Sequence, residues 1–379
     1  MPRPAEPEPL RITPMKTLHS LLLACVAVSI ASAQEGPPVR LAIVGLAHDH
    51  VGGILPELAE RRDVTLVGIV EADRALAESY AAKYHLAPDL FFPSIAALAA
   101  KTKVDAVAAF TSTYDHPRVV EECAPLGIDV MMEKPMAVSL ADARRIAAAA
   151  AKGGIQIVVN YETTWYASNH AAFDYVHGPN AFGEMHKIVV RDGHWGPKAI
   201  GCSPAFLAWL TDPVLNGGGA GMDFGCYGAD LVTWLMDGRR PASVSAVYQR
   251  LQPDAYPKVE DEATIVVTYP GAQAIIEASW NWPFGRKDME IYGASEALFV
   301  PDGKQLLLRK RDAKESPLPV AALPEEESNS LSYLAAVVRG RIKPSGLSSL
   351  ETNLVVCEIL DAANQSARTG RRVDLPAAP

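Results

Sequence analysis

A degenerate glycine turn and one acidic residue stand out near the start of the first predicted domain. Gly45, Ala47 and His50 follow an apolar run and open a helical pattern, in the spacing of a dinucleotide-binding turn whose second and third glycines are replaced. Glu71 ends the next apolar run, where a carboxylate can accept hydrogen bonds from both ribose hydroxyls of NAD. A carboxylate there repels a 2′-phosphate, which favours NAD, while nearby Arg74 keeps NADP as the alternative. We predict a cofactor site that includes Gly45, Ala47, His48, His50 and Glu71.

Two further groups combine suitable residue types with suitable spacing. Glu133-Lys134-Pro135 ends an apolar strand, and the proline favours an extended Lys134 at the crevice beyond the strand ends. Asp223 and Tyr227 follow a glycine run at 217–219 and are four residues apart, so on a helix they share one face. An amine, a carboxylate and a phenol are groups that hold or move a proton.

These motifs resemble those of the Gfo/Idh/MocA family of NAD(P)-dependent oxidoreductases. The specific matches are Glu133-Lys134-Pro135 at its strand end and the glycine run leading to Asp223 and Tyr227; softer matches extend the likeness over nearly all of the chain after residue 33. The resemblance implies hydride transfer at a secondary hydroxyl of a sugar, polyol or glycoside. It also implies that Lys134 contacts both the substrate hydroxyl and the cofactor ribose. A tyrosine at position 227 is similar to the glucose–fructose oxidoreductase variety.

Alcohol oxidation requires a base within hydrogen-bond reach of the hydroxyl while a hydride leaves the same carbon. A phenol, whose pKa is ordinarily about 10, is a poor base at neutral pH until a neighbouring cation lowers that pKa. We therefore predict Tyr227 as the acid/base, Lys134 as the cation that lowers its pKa, and Asp223 as the residue that orients the substrate.

Other cofactor residues are assigned by position. Thr111, Ser112 and His116 lie in the loop after the third predicted strand, where members of the family have a turn beside the nicotinamide, and Glu133 precedes the lysine. His48-Asp49-His50 is not predicted to bind a metal, because adjacent helical residues do not face each other and no further ligand lies at local spacing.

The sugar site is predicted to include aromatic residues at the start of the second domain. Aromatic faces stack on the C–H surfaces of pyranose rings, although many such rings belong to the core instead. The predicted residues are Tyr161, Trp165 and His194.

Repeated strand and helix patterns must position these residues. Nearly all-apolar runs alternate with helical patterns over the first half, which predicts a doubly wound parallel sheet of Rossmann type over residues 34–157. Residues 158–379 contain alternating polar and apolar runs, which predict an α+β substrate-binding domain with a mainly antiparallel, open sheet. Family members assemble through such a face, so we expect a homo-oligomer. The helical pattern at 347–367 is expected to pack between the domains.

The first 33 residues are predicted to be a leader and signal peptide. Met15 offers a second start, residues 21–31 are almost entirely apolar, and Ala31-Ser32-Ala33 supplies a cleavage site before Gln34. The apolar run is too short to span a bilayer. We therefore expect an exported protein, periplasmic or secreted, without a membrane segment after cleavage.

Composition narrows the classes of function. The 379 residues include 35 Lys+Arg and 44 Asp+Glu, a net charge of −9, so the sequence does not predict a nucleic-acid partner. A small-molecule sugar or polyol is the expected substrate.

Export and a nicotinamide cofactor together suggest that the cofactor stays bound. Free nucleotide is scarce outside the cytoplasm, so a tightly bound cofactor must be restored within the reaction cycle. Two enzyme hypotheses satisfy this condition: oxidation of one sugar coupled to reduction of another, and NAD-dependent glycoside hydrolysis through transient oxidation. A third hypothesis is a non-catalytic sugar-binding module.

Overall fold

The apolar runs of the first half form one parallel sheet in the computed structural model, which describes residues 36–179 and 182–376. Its strands are β1 (Val39–Val44), β2 (Val64–Val70), β3 (Phe91–Phe92), β4 (Ala106–Ala109), β5 (Asp129–Glu133) and β6 (Ile157–Asn160). The order is β3-β2-β1-β4-β5-β6, and every neighbouring pair is parallel. Every residue of β4 is buried, as expected for a sheet covered on both faces. The predicted Rossmann arrangement is confirmed.

Helices connect these strands and cover both faces of the sheet. They are α1 (Val51–Glu60), α2 (Arg74–Tyr84), α3 (Ile95–Ala99), α4 (His116–Cys123) and α5 (Leu140–Gly153). Local signals define several ends: the Asp73 and Ser139 side chains cap the first turns of α2 and α5, and Gly154 ends α5 with a left-handed conformation. The short elements β3 and α3 were not predicted, because they are too brief to show a period.

The second half contributes a nine-stranded sheet. Its strands are β7 (Lys187–Gly193), β8 (Ser243–Gln249), β9 (Glu262–Tyr269), β10 (Ala272–Ser279), β11 (Arg286–Tyr292), β12 (Glu296–Asp302), β13 (Gln305–Lys310), β14 (Ser316–Pro317) and β15 (Val373–Asp374). Only the β7–β10 pair is parallel among the strand pairs of this sheet in the described residues. Buried residues alternate with less buried ones along β9 and β10, because one face packs on helices. The mainly antiparallel sheet is confirmed.

Helices of the second half join the two sheets. They are α6 (Ala167–His177), α7 (Pro204–Leu210), α8 (Ala220–Asp223), α9 (Gly225–Leu235), α10 (Ser330–Val338) and α11 (Leu350–Thr369). As expected, α11 lies between the domains, where it contacts α5 on one side and α9 and β8 on the other. The Tyr161 hydroxyl donates to Asn353 of α11 at 2.9 Å, which adds a buried polar contact across this junction.

The core of the first domain includes residues beyond the predicted range 34–157. Strand β6 extends to Asn160, beyond the predicted end at 157. Helix α10, which the sequence places in the second domain, contributes Leu331 and Leu334 to the apolar cluster that contains Leu41 and Ile43 of β1. The Rossmann core is therefore completed by residues near the end of the chain.

The predicted leader and signal peptide, residues 1–33, lies outside the described residues. Within the part of the chain that the structure describes, no helix combines the length and apolar character needed to cross a membrane.

Candidate active site

A cleft opens at the carboxyl ends of β1, β2 and β4. Gly45 ends β1 with φ +83°, and a Cβ atom there would lie 2.6 Å from Thr111 Cγ2, so the tight turn needs glycine. Glu71 accepts hydrogen bonds from the backbone N–H groups of Leu46 and Asp73, both at 2.8 Å, and these bonds hold its carboxylate beside the turn. The cleft measures about 450 Å³, and its lining includes Gly45, Ala47, Glu71, Thr111 and Ser112. Five predicted cofactor residues therefore meet in one place.

Arg74 does not face this cleft in the way that a 2′-phosphate would require. Its guanidinium is 91% exposed and pairs with Glu78 on the next turn of α2 at 2.7 Å. The carboxylate of Glu71 remains the charge at the end of β2 that lines the cleft.

Two of the predicted cofactor histidines are core residues in this structure. His48 is 1% exposed and packs against aromatic rings, and burial lowers its pKa well below the usual value. His116 is equally buried; its Nδ1 lies 3.1 Å from the Met136 carbonyl oxygen, and its Nε2 is buried without a partner in the described residues. These side chains support the turn and loop from behind rather than lining the cleft.

His50 and Glu133 interact directly with each other. His50 Nδ1 lies 3.0 Å from Glu133 Oε2, and Asn160 donates to the other carboxylate oxygen at 2.8 Å. With His48 they form a group whose possible ligand atoms all lie within 4.8 Å of one another. Local spacing gave no sign of this third residue, because β5 brings Glu133 beside the first helix from a distant part of the chain. The hydrogen bonds of His50 and Asn160 already occupy the Glu133 carboxylate.

Lys134 and Asp223 form a buried ion pair at the junction of the two domains. Lys134 Nζ lies 2.5 Å from Asp223 Oδ1 and 3.0 Å from the Asp223 carbonyl oxygen, and both residues are 6% exposed. Burial alone would neutralise them, but mutual attraction prevails: the pKa of Lys134 is raised and that of Asp223 is lowered. The Trp280 indole donates to Asp223 Oδ2 at 2.9 Å. Both groups are therefore charged and fixed in position.

The glycine run places Asp223 opposite Lys134. The backbone of Gly219 passes so close to Glu260 that a Cβ atom would overlap its carbonyl oxygen. Glu260 Oε1 accepts from the N–H groups of Gly219 and Gly221, which anchors the start of α8. The short helix α8 then presents Asp223, and α9 presents Tyr227 one turn later, as the four-residue spacing predicts.

Tyr227 lies between two cations rather than beside one. Its ring centroid is 5.0 Å from Lys134 Nζ and 4.2 Å from Lys287 Nζ. Burial raises the pKa of the phenol well above its usual value, so the expectation that Lys134 lowers this pKa is wrong. The ammonium groups lie over the ring, and Lys134 is held by Asp223 instead. Tyr227 therefore keeps its proton at neutral pH.

Lys287 and Glu162 are site residues that sequence reasoning missed. Lys287 Nζ lies 2.5 Å from Glu162 Oε2, and the ammonium group lowers the pKa of Glu162. Lys287 belongs to β11, where its backbone lies opposite that of Asp192 in β7. The only sequence signal was a lysine at the start of a strand after an aromatic loop. Trp280 is fully buried, and its indole N–H donates to Asp223 Oδ2.

These residues face a cavity of about 950 Å³ between the domains. Its lining includes His50, Lys134, His194, Asp223 and Tyr227. The His194 ring packs edge-on against Phe224, its Nδ1 accepts from the Gly196 N–H at 2.9 Å, and burial lowers its pKa. His194 is therefore neutral at pH 7, and its other nitrogen carries the proton. The structure brings it together with the three predicted catalytic residues.

The two other predicted sugar-site residues lie elsewhere. Tyr161 is fully buried and bonded to Asn353, so it belongs to the junction between the domains. Trp165 donates to Asn160 Oδ1 at 3.1 Å and packs against Tyr333. Their aromatic character reflects core packing, which sequence alone does not distinguish from sugar binding.

Comparisons with known proteins agree with this geometry. The chain matches the NAD-binding Rossmann fold of the Gfo/Idh/MocA oxidoreductase family over residues 39–161 and the C-terminal domain of that family over residues 179–298. It is 24% identical to trans-1,2-dihydrobenzene-1,2-diol dehydrogenase of Sus scrofa, over 84% of this chain and 92% of that protein. It is 26% identical to D-apiose dehydrogenase of Paraburkholderia graminis, over 74% and 75%. The aldose-aldose oxidoreductase of Caulobacter crescentus, solved with glycerol, superimposes with a TM-score of 0.75 at 23% identity, over 89% of this chain and all of that one.

Proposed function

Because the chain belongs to the Gfo/Idh/MocA oxidoreductase family, we propose that it transfers a hydride at a secondary hydroxyl of a sugar or polyol, using a tightly bound NAD. The observation that carries this proposal is the buried Lys134–Asp223 ion pair, with Tyr227 and His194 beside it, at the wall of the large cavity. A charged, desolvated pair at the carboxyl end of a Rossmann sheet is suited to stabilising charge that develops on a substrate oxygen. A sugar-binding module would have no need of it.

The cleft residues fit a dinucleotide. The Gly45 turn permits close approach of a ligand, and the Glu71 carboxylate can accept ribose hydroxyls. Thr111 and Ser112 line the same cleft. When bound, the nicotinamide accepts or returns the hydride. Glu71 and the outward position of Arg74 support NAD over NADP, because the cleft then has a carboxylate where a 2′-phosphate would lie.

The protonation states of these side chains indicate the role of each in proton transfer. Tyr227 keeps its proton at neutral pH, so it donates that proton to the substrate oxygen when a carbonyl is reduced. Alcohol oxidation is the reverse step, in which only the phenolate form of Tyr227 can take the hydroxyl proton, while the Lys134 ammonium stabilises the developing alkoxide. The Asp223 carboxylate holds the Lys134 ammonium beside the substrate oxygen, and the Trp280 indole N–H holds the Asp223 carboxylate in place. His194 supplies a neutral N–H that orients a second hydroxyl.

Two measurements test the function. The protein from Gln34 onward is denatured and any released nucleotide is identified by mass spectrometry; near-stoichiometric NAD is expected. The protein is then incubated with pairs of aldoses and ketoses, and an oxidised and a reduced sugar are expected without added nucleotide. Failure to bind any nucleotide would contradict the proposal. Release of aglycone from an aryl glycoside panel, without net sugar oxidation, would instead support redox-assisted glycoside cleavage.

We also propose export, on the strength of the apolar run at 21–31 and the Ala31-Ser32-Ala33 site. The expected mature amino terminus in the native cell is Gln34, outside the cytoplasm. Amino-terminal sequencing of the fractionated protein tests this expectation, and an uncleaved cytoplasmic chain would contradict it.

A further inference from the structure

Helix α7 lies directly over the degenerate glycine turn. The Trp209 indole N–H donates to the Ala47 carbonyl oxygen at 3.2 Å. Just before the helix, the Ser203 N–H donates to Asp49 Oδ2 at 2.8 Å. The second half of the chain is therefore bonded to the turn at two points, both within the segment where a Rossmann fold binds a pyrophosphate.

An aromatic seam strengthens this contact. The buried His48 ring lies 4.6 Å from the Phe206 ring and 5.4 Å from the Trp209 ring, measured between centroids. Phe206 and Trp209 are 7% and 5% exposed and pack edge to face with each other. His48, which lies between Ala47 and His50 of the turn, thus serves as the surface on which α7 rests.

Helix α7 also separates the two cavities. Ala205, Ala208 and Trp209 line the smaller cleft that contains Glu71. Phe206 and Leu210 line the larger cavity that contains Lys134. A ligand with one end at Glu71 and the other at Lys134 must therefore pass beneath this helix.

We propose that α7 is a cover for a bound dinucleotide, and that Trp209 and Phe206 make its release slow. This inference rests on the proposed function. The turn itself has lost two of its three glycines, and the cover supplies retention that the turn alone does not. The ligand leaves only when α7 separates from His48 and Ala47, so the seam controls the dissociation rate more than the chemistry at Lys134. Such a cover suits an enzyme whose cofactor is restored within the active site rather than exchanged.

The dissociation rate of the nucleotide tests the proposal directly. The protein is loaded with NADH, or with NADPH in a parallel series, and mixed with a large excess of the oxidised form while NADH fluorescence is followed. Trp209→Ala and Phe206→Ala are expected to release the reduced nucleotide at least about tenfold faster than the unchanged protein, which corresponds to about 1.4 kcal/mol. Trp209→Phe keeps a ring but loses the hydrogen bond to Ala47. Its dissociation rate is expected to lie between those of the unchanged protein and Trp209→Ala.

A matched control separates this effect from the loss of any tryptophan. Trp195 is 46% exposed and lies outside the α7 seam, so Trp195→Ala is expected to leave the dissociation rate unchanged. Circular dichroism checks that each variant is folded, and Trp209→Phe and Phe206→Leu replace any alanine variant that is not. Unchanged release rates in folded variants would overturn the cover while leaving the proposed function intact. Absence of nucleotide binding by the unchanged protein would overturn both.

Discussion

Replacing Lys134 by Met should give the protein a pH-dependent instability that it does not otherwise have. The change leaves the Asp223 carboxylate buried with the Trp280 indole as its remaining side-chain donor. Removing one partner of a buried ion pair costs about 3–5 kcal/mol, because the other charge is left without compensation. We expect the free energy of unfolding to fall by this amount at pH 8. Nucleotide binding should be retained, because the cleft at Glu71 is unchanged.

The sign of the pH dependence follows from the pKa directions. In the unchanged protein the pKa of Asp223 is lowered, so its stabilisation is present above pH ~4 and is lost as pH falls through the folded-state value. The pKa of Lys134 is raised, so its stabilisation is present below pH ~10 and is lost as pH rises further. Between about pH 5 and 9 the pair therefore adds a constant amount.

In Lys134→Met the pKa of Asp223 should instead lie above its unfolded value, because burial favours the protonated form. The folded variant then binds a proton more readily than the unfolded chain, so its stability falls as pH rises through that window. The slope reaches at most about 1.4 kcal/mol per pH unit. Between pH 5.5 and 8.5 the difference in free energy of unfolding between the variant and the unchanged protein should grow by roughly 2–4 kcal/mol.

Urea unfolding followed by far-UV circular dichroism at four pH values measures this difference. The matched control is the double variant Lys134→Met/Asp223→Asn, which has no buried charge at this position and should show no added pH dependence. A loss that is the same at every pH, or that persists unchanged in the double variant, would refute the assignment of Lys134 and Asp223 as a charged, mutually stabilised pair.

Three further substitutions test the roles of individual side chains. Glu71→Ala should raise the dissociation constant for NAD by about tenfold or more, because two charge-assisted hydrogen bonds to ribose are lost, as isothermal titration would show; an unchanged constant would remove Glu71 from the cofactor site. Tyr227→Phe should lower kcat by roughly 10²–10⁴-fold with little change in NAD affinity, and a near-normal kcat in steady-state assays would exclude the phenol as proton donor. Trp280→Phe should lower kcat by about tenfold, because Asp223 loses one of its two fixed partners, and the loss should be absent when Asp223→Asn is already present.

The sequence predicted the parallel sheet because its strands are buried on both faces and read as continuous apolar runs. It also placed Lys134 at a strand end and Asp223 with Tyr227 on one helical face, because those relations depend on local spacing. The Lys134–Asp223 contact joins residues 89 positions apart, so the local sequence around either residue does not show that they lie close together in space. The family resemblance placed both residues in one catalytic site, but the ion pair between them was not predicted.

Other site features were missed because they depend on burial. The pKa of Tyr227 was expected to fall beside a lysine, but desolvation outweighs the cations that lie over its ring. Tyr161 and His48 have residue types suited to binding, yet the fold encloses them. Lys287 enters the site through the register of β11, which no short-range pattern specifies. Trp209 reaches the glycine turn from more than 160 positions away.

The contribution of α10 to the first domain determines when that domain can fold. Because Leu331 and Leu334 close the apolar face beside β1, a chain synthesised only as far as β6 would expose that face to water. The nucleotide cleft would then mature only after residue 338 has emerged from the ribosome. A truncated fragment ending at Asn160 should therefore bind nucleotide poorly and aggregate.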